Sequence, residues 1–189
     1  MQATRQIAGL HDVELAALAA AGDRPAFGEL VRRHGSAVRG LLRRMGAEPS
    51  VADDIAQDAF LAAFERITEF RGEGTFSSWV RKIAARLYVR RWRKERRLEA
   101  LEDERDEGAS EGELSAVSRI DLDEALKSLN PTEQMCISLC YGAGLSHAEA
   151  AEVLNTPLGT VKSHVKRGLD KLRDRLARPA AADRRRDHG

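Results

Sequence analysis

Residues 144–169 constrain this chain most, because the local signals there leave room for little but two helices joined by a tight turn. Ser146 is placed to cap a helix, and Glu149 three positions on completes a capping box. Asn155 is a residue type that tolerates the left-handed conformation ending a helix. Thr156 is then expected to cap a second helix with Pro157 at its first position, where a missing N–H costs nothing. Along that helix Leu158, Val161, Val165, Leu169 and Leu172 recur every three or four residues and form one apolar face. The other face carries Thr160, Lys162, Ser163, His164, Lys166 and Arg167, with no carboxylate until Asp170. A solvated basic face on an ordinary surface helix would show the same periodicity. The two-helix spacing, the tight Asn-Thr-Pro turn and the missing carboxylates favour a helix that enters a DNA major groove. There cations and hydroxyls meet phosphates, guanine edges and thymine methyls.

A length of 189 residues admits one ordinary domain or two small helical ones. Aromatic residues at 5% and apolar residues at 42% point to aliphatic helix packing rather than a β-sandwich. The net charge of +1 excludes a generic polyanion binder, but the charge is unevenly placed. Residues 81–97 are strongly basic, and residues 99–113 directly after them are strongly acidic. Cys136 and Cys140 sit one helical turn apart in an apolar stretch. Without a further cysteine or a suitably spaced histidine, they are expected in a core rather than on a metal. There is no signal peptide and no membrane-length apolar run, the longest being 15–21, so a reduced, cytoplasmic chain is expected.

No strand-like alternation is sustained, whereas helix start and stop signals recur. Asp12 opens a short helix closed by Gly22. Asp23 and Pro25 open the next, with Phe27, Leu30, Val31, His34, Val38, Leu41, Leu42 and Met45 at helical spacing until Gly46. Ser50 is expected to begin a third, carrying Ile55, Ala59, Phe60, Ala63, Phe64 and Ile67. The loop 70–75 holds two glycines of a tight reversal, and Thr75 caps a fourth helix with Phe76, Trp79, Val80, Ile83 and Leu87. From 102 to 113 there is no apolar period, as in a disordered linker. Order resumes near Ile120 and Leu122, and Asn130-Pro131 starts another helix. The fold expected is all-α: two small helical domains, 10–97 and 118–178, joined by a flexible acidic linker, 98–117. The second contains the helix-turn-helix, and 179–189 is a frayed tail.

Two more faces carry chemistry. Asp53, Asp54, Gln57 and Asp58 form an acidic patch beside Phe60 and Phe64. The helix macrodipole accounts for Asp53 and Asp54 but less well for Asp58. With no histidine partner or substrate-cradling glycine loop, protein docking fits the patch better than catalysis. The fourth helix has Arg or Lys at nearly every polar position, with Tyr88 and Trp92 interleaved. A solvated helix end is the plain alternative; the functional reading is phosphate neutralisation with aromatics stacking on exposed bases.

These residues resemble the bacterial RNA polymerase sigma factors of the extracytoplasmic-function group. In the first half the resemblance rests on Phe27-Gly-Glu-Leu-Val-Arg-Arg-His, Ala52-Asp-Asp-Ile-Ala-Gln-Asp-Ala-Phe60 and Phe76-Ser-Ser-Trp-Val-Arg-Lys-Ile-Ala84. In the second it rests on Leu129-Asn-Pro-Thr-Glu-Gln and Pro157-Leu-Gly-Thr-Val-Lys-Ser-His-Val-Lys-Arg-Gly-Leu. It implies that Asp53, Asp54, Gln57, Asp58 and Phe60 dock on core RNA polymerase. It implies that Gly72, Glu73, Gly74 and Thr75 capture an unstacked minus-ten base, with Arg86, Arg90, Arg91, Arg93 and Lys94 holding the melted element. It places Thr160, Lys162, Ser163, Lys166 and Arg167 on the minus-thirty-five element. Trp79 is expected in the core. Arg86 and Arg90 depart from the family pattern, which has Asn and Asp there. The partners implied are core RNA polymerase, promoter DNA and an anti-sigma factor, for a chain monomeric on polymerase. No enzyme activity, cofactor, metal or membrane insertion is implied. A dimeric duplex-DNA regulator and a sigma-like decoy for an anti-sigma factor are the competing readings.

Overall fold

The computed structural model describes residues 7–102 and 122–177. Residues 103–117 of the expected linker and the whole expected tail lie outside them. The described residues are helical, with no strand among them. Helix α1 spans Asp12–Ala20, α2 Arg24–Arg44, α3 Pro49–Glu65 and α4 Phe76–Glu102, with a 3-10 turn Ile67–Glu69 before the glycine loop. After the gap come α5 Leu122–Lys127, α6 Pro131–Ile137 continued by a π turn Ser138–Gly142, α7 His147–Leu154 and α8 Leu158–Ala177.

The punctuation residues act largely as their chemistry demands. Asp23 accepts from Ala26 N at 3.1 Å and opens α2. Asn130 and Glu133 form a capping box on α6, as Ser146 and Glu149 do on α7. Asn155 takes φ 52° and ψ 48° and turns the chain into α8. Three boundaries differ from expectation. Pro49, not Ser50, begins α3, and Glu48 before it makes no side-chain cap. The carbonyl of Pro157 receives Thr160 N and Val161 N, so Pro157 sits just outside α8. Thr156 does not cap that helix; its hydroxyl donates back to Leu154 O at 3.3 Å. Helix α4 runs on to Glu102, five residues past the boundary expected at 97.

In the first unit α1 to α4 close over Leu15, Leu30, Val38, Leu42, Phe76 and Val80, all buried. Phe76 is the hub of an aromatic cluster, with Phe27, Phe70 and Trp79 rings 5.6–6.5 Å from it. Arg33 of α2 fastens the entry to α1, donating to Ala8 O and Leu10 O at 2.8 Å each and to Asp12 at 3.0 Å. In the second unit α6, α7 and α8 bury Met135, Leu139, Leu154, Val161 and Val165, and a smaller cluster joins Leu126, Leu129, Ile137 and Leu172. Leu158, expected on the apolar face of α8, is exposed instead.

The two units pack directly on each other, and their apolar residues form one continuous cluster. The carbonyl of Arg44 belongs to the last turn of α2, where carbonyls lack intrahelical partners. Gln134 Nε2 and Ser138 Oγ of the second unit donate to it at 2.9 and 3.0 Å. Arg81 of α4 donates to Gly142 O at 3.2 Å, Lys82 pairs with Glu149 at 3.3 Å, and Arg93 reaches Val153 O at 3.4 Å. Glycine at 142 permits the approach, since a Cβ there would lie 2.6 Å from Leu41 Cδ1.

Candidate nucleic-acid interface

The geometry of α8 follows from which of its sides is apolar. Val161, Val165 and Leu172 are buried, and Gly168 lets the helix close on α6, where a Cβ would meet Ile137 Cδ1 at 2.5 Å. That orientation leaves Thr160, Lys162, Ser163, Lys166 and Arg167 exposed. Ser163 Oγ donates to Gly159 O at 2.9 Å, the back-bond typical of serine inside a helix. Arg167 is exposed but has two neighbours around its guanidinium. Its Nε lies 3.7 Å from Glu133 Oε1, and one terminal nitrogen lies 3.1 Å from His164 Nδ1.

Sequence reasoning missed Glu133. In the structure it is the capping-box partner of Asn130, is only 2% exposed and also receives Lys171 Nζ at 2.7 Å. Burial pushes its carboxyl up, but Lys171, the Asn130 amide and Arg167 outweigh this and hold it below its ordinary value. The only signal available was its position two residues before the apolar run Met135-Cys136-Ile137.

On the first unit, Gly72 and Gly74 take φ of 74° and 98°, conformations that disfavour other residues, and Gly72 lies beside α1, where a Cβ would stand 3.7 Å from Val13 Cγ1. Glu73, Gly74 and Thr75 are exposed and Gly72 is half-buried. Thr75 Oγ1 accepts from Ser78 N at 3.1 Å and caps α4 as expected. Arg86, Arg90, Arg91, Arg93 and Lys94 are all exposed. Arg91 pairs with Glu95 at 2.7 Å, while Arg90, Arg93 and Lys94 line a basic groove with Arg97. Of the two interleaved aromatics, Tyr88 is 5% exposed, and burial drives its hydroxyl up to about 12. It is therefore core and unavailable for stacking. Trp92 is half-buried, with the Arg96 guanidinium 5.1 Å above its ring. Trp79, expected in the core, is half-buried and packs on Phe70 and Phe76.

On α3 the side chains of Asp53, Asp54, Gln57 and Asp58 are exposed, Asp53 lying 3.6 Å from Arg39. Phe60 does not share that exposure: at 7% it belongs to the core. It lines an apolar groove of about 590 Å³ between α2 and α3, with Phe27, Val31 and Phe64. Leu61 at its rim is 55% exposed. Cys136 is buried and Cys140 half-buried, and burial raises both thiols, Cys136 to about 11. They pack in the core.

Comparison with known proteins agrees with this layout. Residues 30–98 match the family described as Sigma-70 region 2, and residues 125–174 match Sigma-70, region 4. Over 170 residues the chain is 33% identical to the ECF RNA polymerase sigma factor SigW of Bacillus subtilis, covering 82% of this chain and 91% of that one. The chain belongs to the extracytoplasmic-function sigma factors. It is 36% identical over 163 residues to the ECF sigma factor SigE of Mycolicibacterium smegmatis, which takes in 82% of this chain and 63% of SigE's length. Among solved structures it is similar to CnrH in complex with the cytosolic domain of CnrY. That likeness has 30% identity and a TM-score of 0.53, and covers 88% of this chain and 97% of that one. As a member of this family the sigma factor is a transcription initiation subunit that directs RNA polymerase to promoters. The family consists of transcription factors rather than catalysts. No described helix is long and apolar enough to cross a membrane.

Proposed function

We propose that this sigma factor docks on core RNA polymerase through Asp53, Asp54, Gln57 and Asp58, with the groove over Phe60 beside them. The 72–75 loop and the basic side of α4 then hold the melted minus-ten element. Thr160, Lys162, Ser163, Lys166 and Arg167 of α8 meet the minus-thirty-five element. The observation that carries this reading is the division of α8, whose Val161, Val165 and Leu172 are buried while all five contact candidates are exposed. The two contacts reside in domains taken as 10–97 and 118–178, α4 carrying the first five residues further, to Glu102, before the rest of the acidic stretch serves as tether. Arg86 and Arg90 add positive charge on α4, favouring phosphate contact over base readout.

The chain works in the cytoplasm, where polymerase is, and makes no bonds itself; binding free energy is spent on positioning and strand separation. It needs no cofactor or metal. The similarity to CnrH, solved with the cytosolic domain of CnrY, supports control by an anti-sigma factor. Spanning two promoter elements requires the interface between the units to part, because Arg93 and Lys82 of α4 are there engaged by the second unit.

The test is footprinting of reconstituted holoenzyme on genomic fragments that it selects. Expected are an upstream protected duplex block and, separated from it, permanganate-reactive unpaired thymines. A single protected duplex block without unpaired bases would contradict the proposal.

A further inference from the structure

We infer that Glu133, which lies beneath α8 and is closed to DNA, is a positioning residue that aims Arg167 and so sets base preference in the upstream element. The inference rests on the proposed role of α8 in reading duplex DNA. A carboxylate buried to 2% exposure is costly unless it is paired. The Asn130 amide, at 3.4 Å, and Lys171, at 2.7 Å, already supply a hydrogen bond and a countercharge. Arg167 is a second cation drawn to the same group.

The consequence lies in what remains of the guanidinium. Its Nε edge is turned toward Glu133, and one terminal N–H is directed at His164 Nδ1, which accepts when the imidazole proton is on Nε2. The other terminal nitrogen and the remaining N–H are left as a fork on a side chain that is 58% exposed. A fork of that kind matches the paired acceptors O6 and N7 of guanine. An arginine free to swing would instead find phosphates, which carry no sequence information. Glu133 thus converts Arg167 from a mobile charge into a preorganised reader, and restrains Lys171 from acting as a further phosphate contact.

The experiment uses the full chain, reconstituted with bacterial core polymerase, on a duplex library randomised across the upstream element. Wild type, Glu133→Gln, Arg167→Ala and the double variant are compared for per-position preference and for salt dependence on a fixed non-selected duplex. We expect Glu133→Gln to lose about tenfold discrimination at the positions that Arg167→Ala loses. Its salt slope should steepen by roughly one unit as freed cations reach phosphates. In the Arg167→Ala background Glu133→Gln should change preference no further. A purely structural role would lower the melting temperature while leaving per-position preference intact, and that result overturns the inference. So does an equal loss at every position. If Arg167→Ala itself leaves every preference unchanged, the fault lies in the reading of α8, and the inference falls with it. Should Glu133→Gln melt below the assay temperature, Glu133→Asp keeps the charge but draws it back one methylene. It should give a partial loss at the same positions, and an unchanged preference again overturns the inference.

Discussion

Replacing Gly142 by alanine tests the packing of the two units through one atom. The added Cβ would stand 2.6 Å from Leu41 Cδ1, where two carbons prefer about 3.5–4.0 Å. Leu41 is buried in the shared cluster, so it cannot yield by the required ångström or so without moving its neighbours. Overpacking of this kind costs about 1–3 kcal/mol. The φ of Gly142 is not positive, so alanine adds no backbone strain there. It also stiffens the unfolded chain, which returns about 0.4–1 kcal/mol. A net loss of about 1–2 kcal/mol corresponds to a fall in melting temperature of roughly 2–8 °C for a chain of this size. The strain is relieved most simply if the units separate, since the Arg81 bond to Gly142 O and the Gln134 and Ser138 bonds to Arg44 O release together. Thermal melts combined with small-angle X-ray scattering should show a less stable and more extended chain. Leu41→Ala removes the clashing atom, so adding Gly142→Ala to it should cost little more, a coupling a double-mutant cycle detects. An unchanged melting temperature and an unchanged radius of gyration for Gly142→Ala would refute the reasoning.

Other outcomes follow from the same geometry. Tyr88→Phe should leave promoter opening by holoenzyme unchanged, because Tyr88 is buried, whereas Trp92→Ala should slow it; permanganate reactivity distinguishes the two. Arg167→Ala should weaken binding at one or two upstream base positions by about 1–3 kcal/mol, measured by competition with single-base variants; a uniform loss would make it a phosphate contact. Glu133 has a carboxyl held below its ordinary 4.5, so below that pH the unfolded chain takes up the proton first. Its contribution is therefore present above about pH 4.5 and lost as pH falls through the folded value. Urea midpoints from about pH 6 to about pH 3 should fall less steeply for Glu133→Gln than for wild type.

What could be read from the sequence was set by local chemistry. Ser146, Glu149 and Asn155 act within one or two turns of themselves, and the helix-turn-helix formed around them as expected. Pro157 illustrates the limit, since either side of a helix boundary suits a residue without an N–H, and the structure places it just outside. The family resemblance places Phe60 on the docking surface, and the basic residues that flank Tyr88 place it beside nucleic acid. Periodicity does not say which flank of an amphipathic helix a large aromatic occupies, and both proved to be core. The packing of the units and the burial of Glu133 lay beyond local reasoning altogether. Glu133 is enclosed by Lys171, 38 residues away, and Gly142 matters only because Leu41 lies against it.

The central claim is that this sigma factor docks on polymerase through the exposed carboxylates of α3. The most direct test is co-elution of the purified chain with bacterial core RNA polymerase at physiological salt, in competition with a housekeeping sigma factor. The account predicts stoichiometric co-elution, displaced by that competitor and lost when Asp54 and Asp58 are both changed to Arg in a chain that still melts normally. Wild-type protein that is folded and free of inhibitor yet elutes apart from polymerase, or a reversed variant that binds as well as wild type, would contradict it.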